Sequence, residues 1–227
     1  MKNGLSKKLI LFAAAATCAA SASAQWYQAV SQIPSLISPA LSGSLAYKGF
    51  VDAGFTAGFG NDWKANVLSV STTQGFTYSS WFFMGAGIGA DVVFRDTELV
   101  DYTQYPGYFP HSQSSTRVMM PVFSDFRFSF GGGPASTRLF VDLRLGATFL
   151  FGDTYMQFPD GYMTDRTYFY FRPTVGVRIP VGKSEKSRQA VNVGIAYQLV
   201  TSDNAYTWRG GNSLTMHSLG VGIGFEW

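Results

Sequence analysis

Side chains able to do acid–base, nucleophilic or metal chemistry are scarce in this chain. It has two histidines, His111 and His217, and one cysteine, Cys18. A histidine beside a serine and a carboxylate could drive acyl hydrolysis or transfer, with imidazole as the general base. His217 is the candidate, with Ser213 and Ser218 close in sequence and Asp203 upstream. Its spacing, however, groups it with Leu219 and Val221 on one face of a strand, so it reads as an interfacial histidine. The two histidines are far apart and no cysteine is near either, so no metal-ligand set is visible and no cofactor is expected. Gly85, Gly87 and Ala90 fit a loose dinucleotide pattern, but the sequence continues as a strand where that pattern needs a helix. Gly182, Lys183 and Ser184 resemble the end of a phosphate loop, yet Val177 stands where such a loop needs glycine.

The charged residues form a larger set. Lys48, Asp52, Asp91, Arg117, Asp125, Arg127, Asp142, Arg144, Arg172, Arg178 and Glu226 each alternate with bulky apolar neighbours. Successive side chains of a strand point to opposite faces. The charges therefore share one side of a sheet whose other side is apolar. Inside a narrow barrel such charges must be paired, because an unpaired buried ion costs several kcal/mol. The expected arrangement is an interlocked plug of ion pairs and hydrogen bonds, with a narrow ion-selective pore as the alternative.

The elements that must carry these residues are strands. The last stretch, 219–227, alternates Leu219, Val221, Ile223, Phe225 and Trp227 with Gly220, Gly222, Gly224 and Glu226. A soluble half-buried strand turns bulk inward and polarity outward. Here the face without bulk suits the inside of a narrow barrel, and the apolar face suits lipid. The same pattern recurs upstream from Leu45, giving eight predicted strands. Short connections at 79–80, 131–137 and 182–188 alternate with longer ones at 95–115, 152–166 and 201–212, while the turn at 60–62 is short. Aromatic residues are expected in two girdles, one with Phe76, Tyr78, Trp81, Phe82, Phe128, Phe130, Phe225 and Trp227, the other with Phe59, Trp63, Phe94, Phe149, Phe151 and Tyr168. The long connections carry Tyr102, Tyr105, Tyr108 and Phe109, then Tyr155, Phe158 and Tyr162, then Tyr206 and Trp208. These form a candidate aromatic rim that could bind an extracellular sugar, peptide or protein, or pack upon itself.

The first 24 residues have a basic start, an apolar run over 9–20 and a small-residue site at Ala22 and Ala24, the three parts of a cleaved secretory signal peptide. That run is too short to span a bilayer as a helix. Cleavage would leave 203 residues and remove Lys2, Lys7 and Lys8, so that 14 basic residues balance 14 acidic ones. The overall positive charge then belongs to the leader and argues for no nucleic-acid partner. The segment 25–44, with Pro34 and Pro39, shows no clear alternation and is expected to be a periplasmic lead-in.

With the signal peptide, the alternation from Leu45 to Trp227 and the terminal Gly224-Phe225-Glu226-Trp227 in hand, the chain resembles the small outer-membrane β-barrel family, of the eight-stranded OmpA/OmpX-like type. The resemblance implies an all-β, eight-stranded antiparallel transmembrane up-and-down barrel over 45–227, monomeric and located in a Gram-negative-type outer membrane. It implies contact with outer-membrane lipid. It also implies that Phe225 and Trp227 belong to a C-terminal signal read by the barrel-assembly machinery during biogenesis. The expected role is structural or surface-interacting, through long extracellular loops and a plugged polar interior, without enzyme activity. A small porin-like channel is the alternative, followed by a lipid-modifying barrel.

Overall fold

The protein is described by a computed structural model covering residues 45–59, 65–78, 81–95, 116–131, 136–151, 156–158, 161–163, 166–181, 189–207, 210–211 and 213–227. The leader 1–24, the segment 25–44 and residues Trp63, Tyr102, Tyr105, Tyr108, Phe109, His111, Tyr155 and Trp208 lie outside that set. Eleven strands run in chain order: β1 Leu45–Gly58, β2 Ala65–Tyr78, β3 Phe82–Arg95, β4 Thr116–Phe130, β5 Arg138–Phe151, β6 Met156–Phe158, β7 Gly161–Met163, β8 Thr167–Pro180, β9 Ala190–Ser202, β10 Ala205–Thr207 and β11 Leu214–Glu226.

Eight of them close into one antiparallel barrel in the order β1-β11-β9-β8-β5-β4-β3-β2. Closure removes every open edge, so each central strand finds a ladder on both sides. The seam that joins the first strand to the last pairs Val51 with Phe225 and Ala57 with Leu219. The short connections and the C-terminus share one end, called here the turn end; the longer connections share the loop end. The pairing is interrupted beside Pro121 in β4 and Pro173 in β8, whose rings lack an N–H, and resumes in the same register beyond each.

The alternation sorts side chains as it must in a closed sheet. Val70, Ile88, Val122, Leu139, Val175, Ile195, Val221 and Ile223 point outward and are 44–61% exposed. The opposite parity is buried, and it holds the charges. Glycines thin the inner wall where strands run close. A Cβ on Gly220 would lie 1.9 Å from the Phe55 carbonyl oxygen, and one on Gly146 2.0 Å from that of Val122. Bulk at those positions would push the strands apart.

Three features depart from the sequence reading. First, two connections expected to be loops carry strands: β6 and β7 pair with each other, and β10 pairs with β7, to form a separate three-stranded sheet at the loop end. The rim residues Phe158, Tyr162 and Tyr206 lie on its backbone, with Tyr206 opposite Tyr162. Three-residue strands leave no period to detect. Second, Tyr168 belongs to the interior and not to the girdle, because its position in β8 has the inward parity and only 1% of it is exposed. Third, Phe126 has the outward parity but is 9% exposed.

Candidate functional site: the barrel interior

The interior of an eight-stranded barrel is just wide enough for side chains to fill. Here the filling is layered. At the turn end, Glu226 from the last strand accepts from Lys48 Nζ at 3.0 Å and from Arg178 Nε at 2.6 Å, with Arg178 Nη2 also at 2.6 Å. Arg138, at the start of β5, stands opposite Arg178 in the register and is buried as well. Lys48 is the most open of these charges, its side chain 19% exposed.

The middle layer is a denser knot. Arg144 reaches Asp52 at 2.5 Å, Asp142 at 3.1 Å and Asp125 at 3.4 Å, and its Nη1 donates to Ser71 Oγ at 2.9 Å. Arg127 donates to Asp142 at 3.0 Å and lies 3.9 Å from Asp52. Aromatic faces complete the desolvated shell around these cations. The Arg127 guanidinium sits 4.0 Å from the Phe50 ring centre and 4.9 Å from that of Phe140, while Arg144 sits 5.1 Å from that of Phe123. Such contacts stabilise a cation by about 0.5–2 kcal/mol each. Two arginines thus bind three carboxylates that would be costly to bury alone.

Above the knot, Arg172 donates to Ser69 Oγ at 2.7 Å, and Gln198 donates to Asp91 at 2.9 Å. Beyond this layer the lining becomes mainly apolar. Ala65, Val67, Val93, Met119, Phe123, Leu150, Tyr168, Val200, Leu214 and Met216 form a buried apolar cluster at the loop end. The interior is therefore densely charged over its turn-end and middle parts and mainly apolar toward the loop end, where Arg117, Thr148 and Ser202 are inward polar residues near that cluster. Its loop end is capped by apolar side chains, which the expectation of a polar interior did not include. The physical reason is that β2, β3 and β11 end there in inward Ala65, Val67, Val93, Leu214 and Met216, which Met119 of β4 and Val200 of β9 join.

A cavity of about 30 Å³ remains beside the knot. It is bounded by Asp52, Arg127, Asp142, Arg144, Arg172 and Asn192 on one side and by Gly194, Gly222 and Gly224 on the other. Arg127 Nε and Nη1, Asp142 Oδ1, Arg172 Nε and Asn192 Oδ1 are buried without a hydrogen-bond partner in the protein. A volume above roughly 15 Å³ with several polar groups around it suits ordered water. The cavity shares no lining residue with the apolar cluster.

Arg117 takes the inward parity near the loop end of β4, opposite Val93 in the register, and the other ten charges singled out from the sequence, Lys48, Asp52, Asp91, Asp125, Arg127, Asp142, Arg144, Arg172, Arg178 and Glu226, all lie inside the barrel. The structure groups them into three layers, a partition that spacing alone could not give. Arg138 was missed: it follows directly on a turn, and the alternation was read from Leu139. Phe50 and Phe140, which flank Arg127, were also missed; both carry the inward parity of their strands. Phe225 and Trp227 stack at the turn end with ring centres 6.4 Å apart, and the Trp227 ring covers Gly49. The serine–histidine arrangement does not assemble. His217 points outward and bonds Tyr197, whereas Ser218 points inward and bonds Thr56 at 3.0 Å. Among the described residues no group of histidine, cysteine and carboxylate side chains could hold a metal ion.

No protein-family model matches the chain, and no curated protein matches it. Among solved structures, it is similar to Neisserial surface protein A (NspA), at 10% sequence identity and a TM-score of 0.48, over 80% of this chain and 97% of that one. It is also similar to the outer membrane enzyme PagL, at 13% identity and a TM-score of 0.46, over 77% of this chain and 97% of that one.

Proposed function

We propose that this protein is an outer-membrane barrel with a structural or surface-interaction role. In this reading the turn end faces the periplasm, the loops face outward, and the interior is a plug, not a path. The observation that carries the reading is the inversion of the sheet's two faces. Large apolar side chains cover the outside, and the ion pairs are buried within. In water an apolar surface this continuous would far exceed the few hundred Å² that soluble monomers expose. In lipid it is the expected solvent contact, and a closed barrel leaves no open strand edge.

The plug is supported by two barriers in series. An ion entering from the turn end must displace the guanidinium–carboxylate pairs of the knot. It must then cross the apolar cluster, where desolvation costs several kcal/mol. The test is single-channel recording of the folded chain in a planar bilayer. Silence from protein shown to be inserted is expected; steady, reproducible openings would replace this reading with that of a small channel.

A further inference from the structure

We infer that the outer face of the barrel carries a binding site for one acyl-ester lipid of the loop-side leaflet, built by Tyr197 and His217 on the β9–β11 seam. The inference rests on the membrane reading above and adds a ligand to it. On most of the outside, chemistry ends with aliphatic and aromatic side chains. On this seam it does not. Tyr197 Oη and His217 Nδ1 are 2.6 Å apart. Phe59 lies against both rings, with centres 6.2 Å from Tyr197 and 6.0 Å from His217. Phe59 N donates to the His217 carbonyl at 3.0 Å, which fixes the strand that carries the imidazole. One step toward the loop end, Thr201 and Thr215 face each other with hydroxyl oxygens 2.9 Å apart.

The height of these groups points to the ligand. At the usual strand rise and tilt, the 13 residues of β11 cover roughly 30 Å along the barrel axis. His217 then lies about 8 Å from the midpoint, Gly220, toward the loop end, and Thr215 about 13 Å. A lipid-facing apolar band is about 25 Å tall, so the threonines sit at its edge and the imidazole just inside it. The edge of that band is where acyl chains join their headgroups through ester carbonyls. At comparable heights β2 and β4 present Leu68 and Val118, both well exposed. On the seam Tyr197, Leu199, Thr201, Thr215 and His217 are only half-exposed. Val92, Met120, Leu145 and Phe171 elsewhere on the wall are half-exposed too, so the seam is set apart by its polar groups and not by its shape.

The bonding completes the argument. Whichever group donates in this bond, the pair keeps one donor unused: Nε2–H if the phenol donates to Nδ1, or the Tyr197 hydroxyl if Nδ1–H donates to the phenol. Such a donor in hydrocarbon is costly without an acceptor, and an ester carbonyl is the acceptor that a bilayer supplies at this height. Phe59 and Leu199 flank the imidazole as contact surface for the acyl chain. Tyr197 acts as a positioning residue, since its hydroxyl occupies Nδ1 of His217 and holds the ring.

The test uses the full folded chain in lipid nanodiscs made from equal amounts of an ester-linked and an ether-linked phospholipid with the same chains and headgroup. The protein is released into mild detergent, and native mass spectrometry counts which lipid stays bound. Enrichment of the ester lipid by about threefold to tenfold is expected, the effect of one net hydrogen bond. His217→Phe keeps the ring contact with Phe59 and should bring the ratio to one. Tyr197→Phe, a milder change, should lower the enrichment without unfolding the strand. Equal retention by the unaltered chain, or enrichment that survives His217→Phe, would overturn the inference and leave the membrane reading intact. A chain that never enters the nanodisc would overturn both.

Discussion

Replacement of Arg144 by methionine is the sharpest test of how the interior is held together. The guanidinium meets Asp52 at 2.5 Å, Asp142 at 3.1 Å, Asp125 at 3.4 Å and Ser71 at 2.9 Å. Methionine keeps most of the apolar stem, so the change removes charge and hydrogen bonds more than volume. The buried Asp125 and Asp142 and the half-buried Asp52 are then left with Arg127, which bonds Asp142 at 3.0 Å but stands 3.9 Å from Asp52. Breaking one buried ion pair costs about 3–5 kcal/mol, and Arg144 serves more than one, so Arg144→Met should lose at least that range. Lys48→Met is the matched control. Its amine is partly open to solvent, and Glu226 keeps Arg178 at 2.6 Å, so the loss should stay near 1 kcal/mol or less. Reversible urea unfolding from lipid vesicles, followed by tryptophan fluorescence, gives both values, with unchanged slopes if the exposed surface is the same. Adding Asp142→Asn to Arg144→Met should restore about 1 kcal/mol or more, since it removes one stranded charge. An Arg144→Met variant within about 1 kcal/mol of the unaltered chain would refute the reasoning, because a knot that behaves like surface ion pairs is not desolvated.

Two further predictions concern the wall and the seam. Gly220→Ala should sharply reduce the folded fraction seen by gel mobility without heating, since its Cβ would meet the Phe55 carbonyl at 1.9 Å; Gly222→Ala should fold normally, its nearest neighbour being 3.4 Å away. Gly49→Val should displace the Trp227 indole, whose atoms would lie 2.5 Å from the new Cβ, and should slow closure of the barrel as measured by the rate of appearance of the heat-resistant form.

Much of the fold was legible because one physical rule governs it. A period of two sorts side chains into outward-facing and interior sets, and a narrow barrel leaves no third place for them. Asp52, Asp142, Arg144 and Glu226 declared their side simply by alternating with Val51, Val141, Leu143, Leu145 and Phe225. What stayed hidden depends on shear and closure. Nothing local in the sequence says that Arg144 meets Asp52, 92 positions away, or Ser71, 73 positions away. Tyr168 looked like a girdle residue because aromatics at a strand end are ambiguous until the register shows which side they take. The apolar cap was hidden for a related reason: Val67, Val93, Met119, Val200 and Met216 are unremarkable singly and become a cluster only once five strands converge. The β6–β7–β10 sheet is too short in each segment to leave a periodic trace.

The account stands or falls on which face of the sheet meets lipid. Because Cys18 is the chain's one cysteine and lies in the predicted leader, single cysteines can be introduced for spin labelling without background. Labels at Val175, Ile195, Val221 and Ile223 in reconstituted protein should collide readily with oxygen and hardly at all with a water-soluble paramagnet. They should show this most strongly near the middle of each strand. Labels dominated instead by the water-soluble reagent would mean that the apolar face does not lie in a bilayer, and the membrane reading would be wrong.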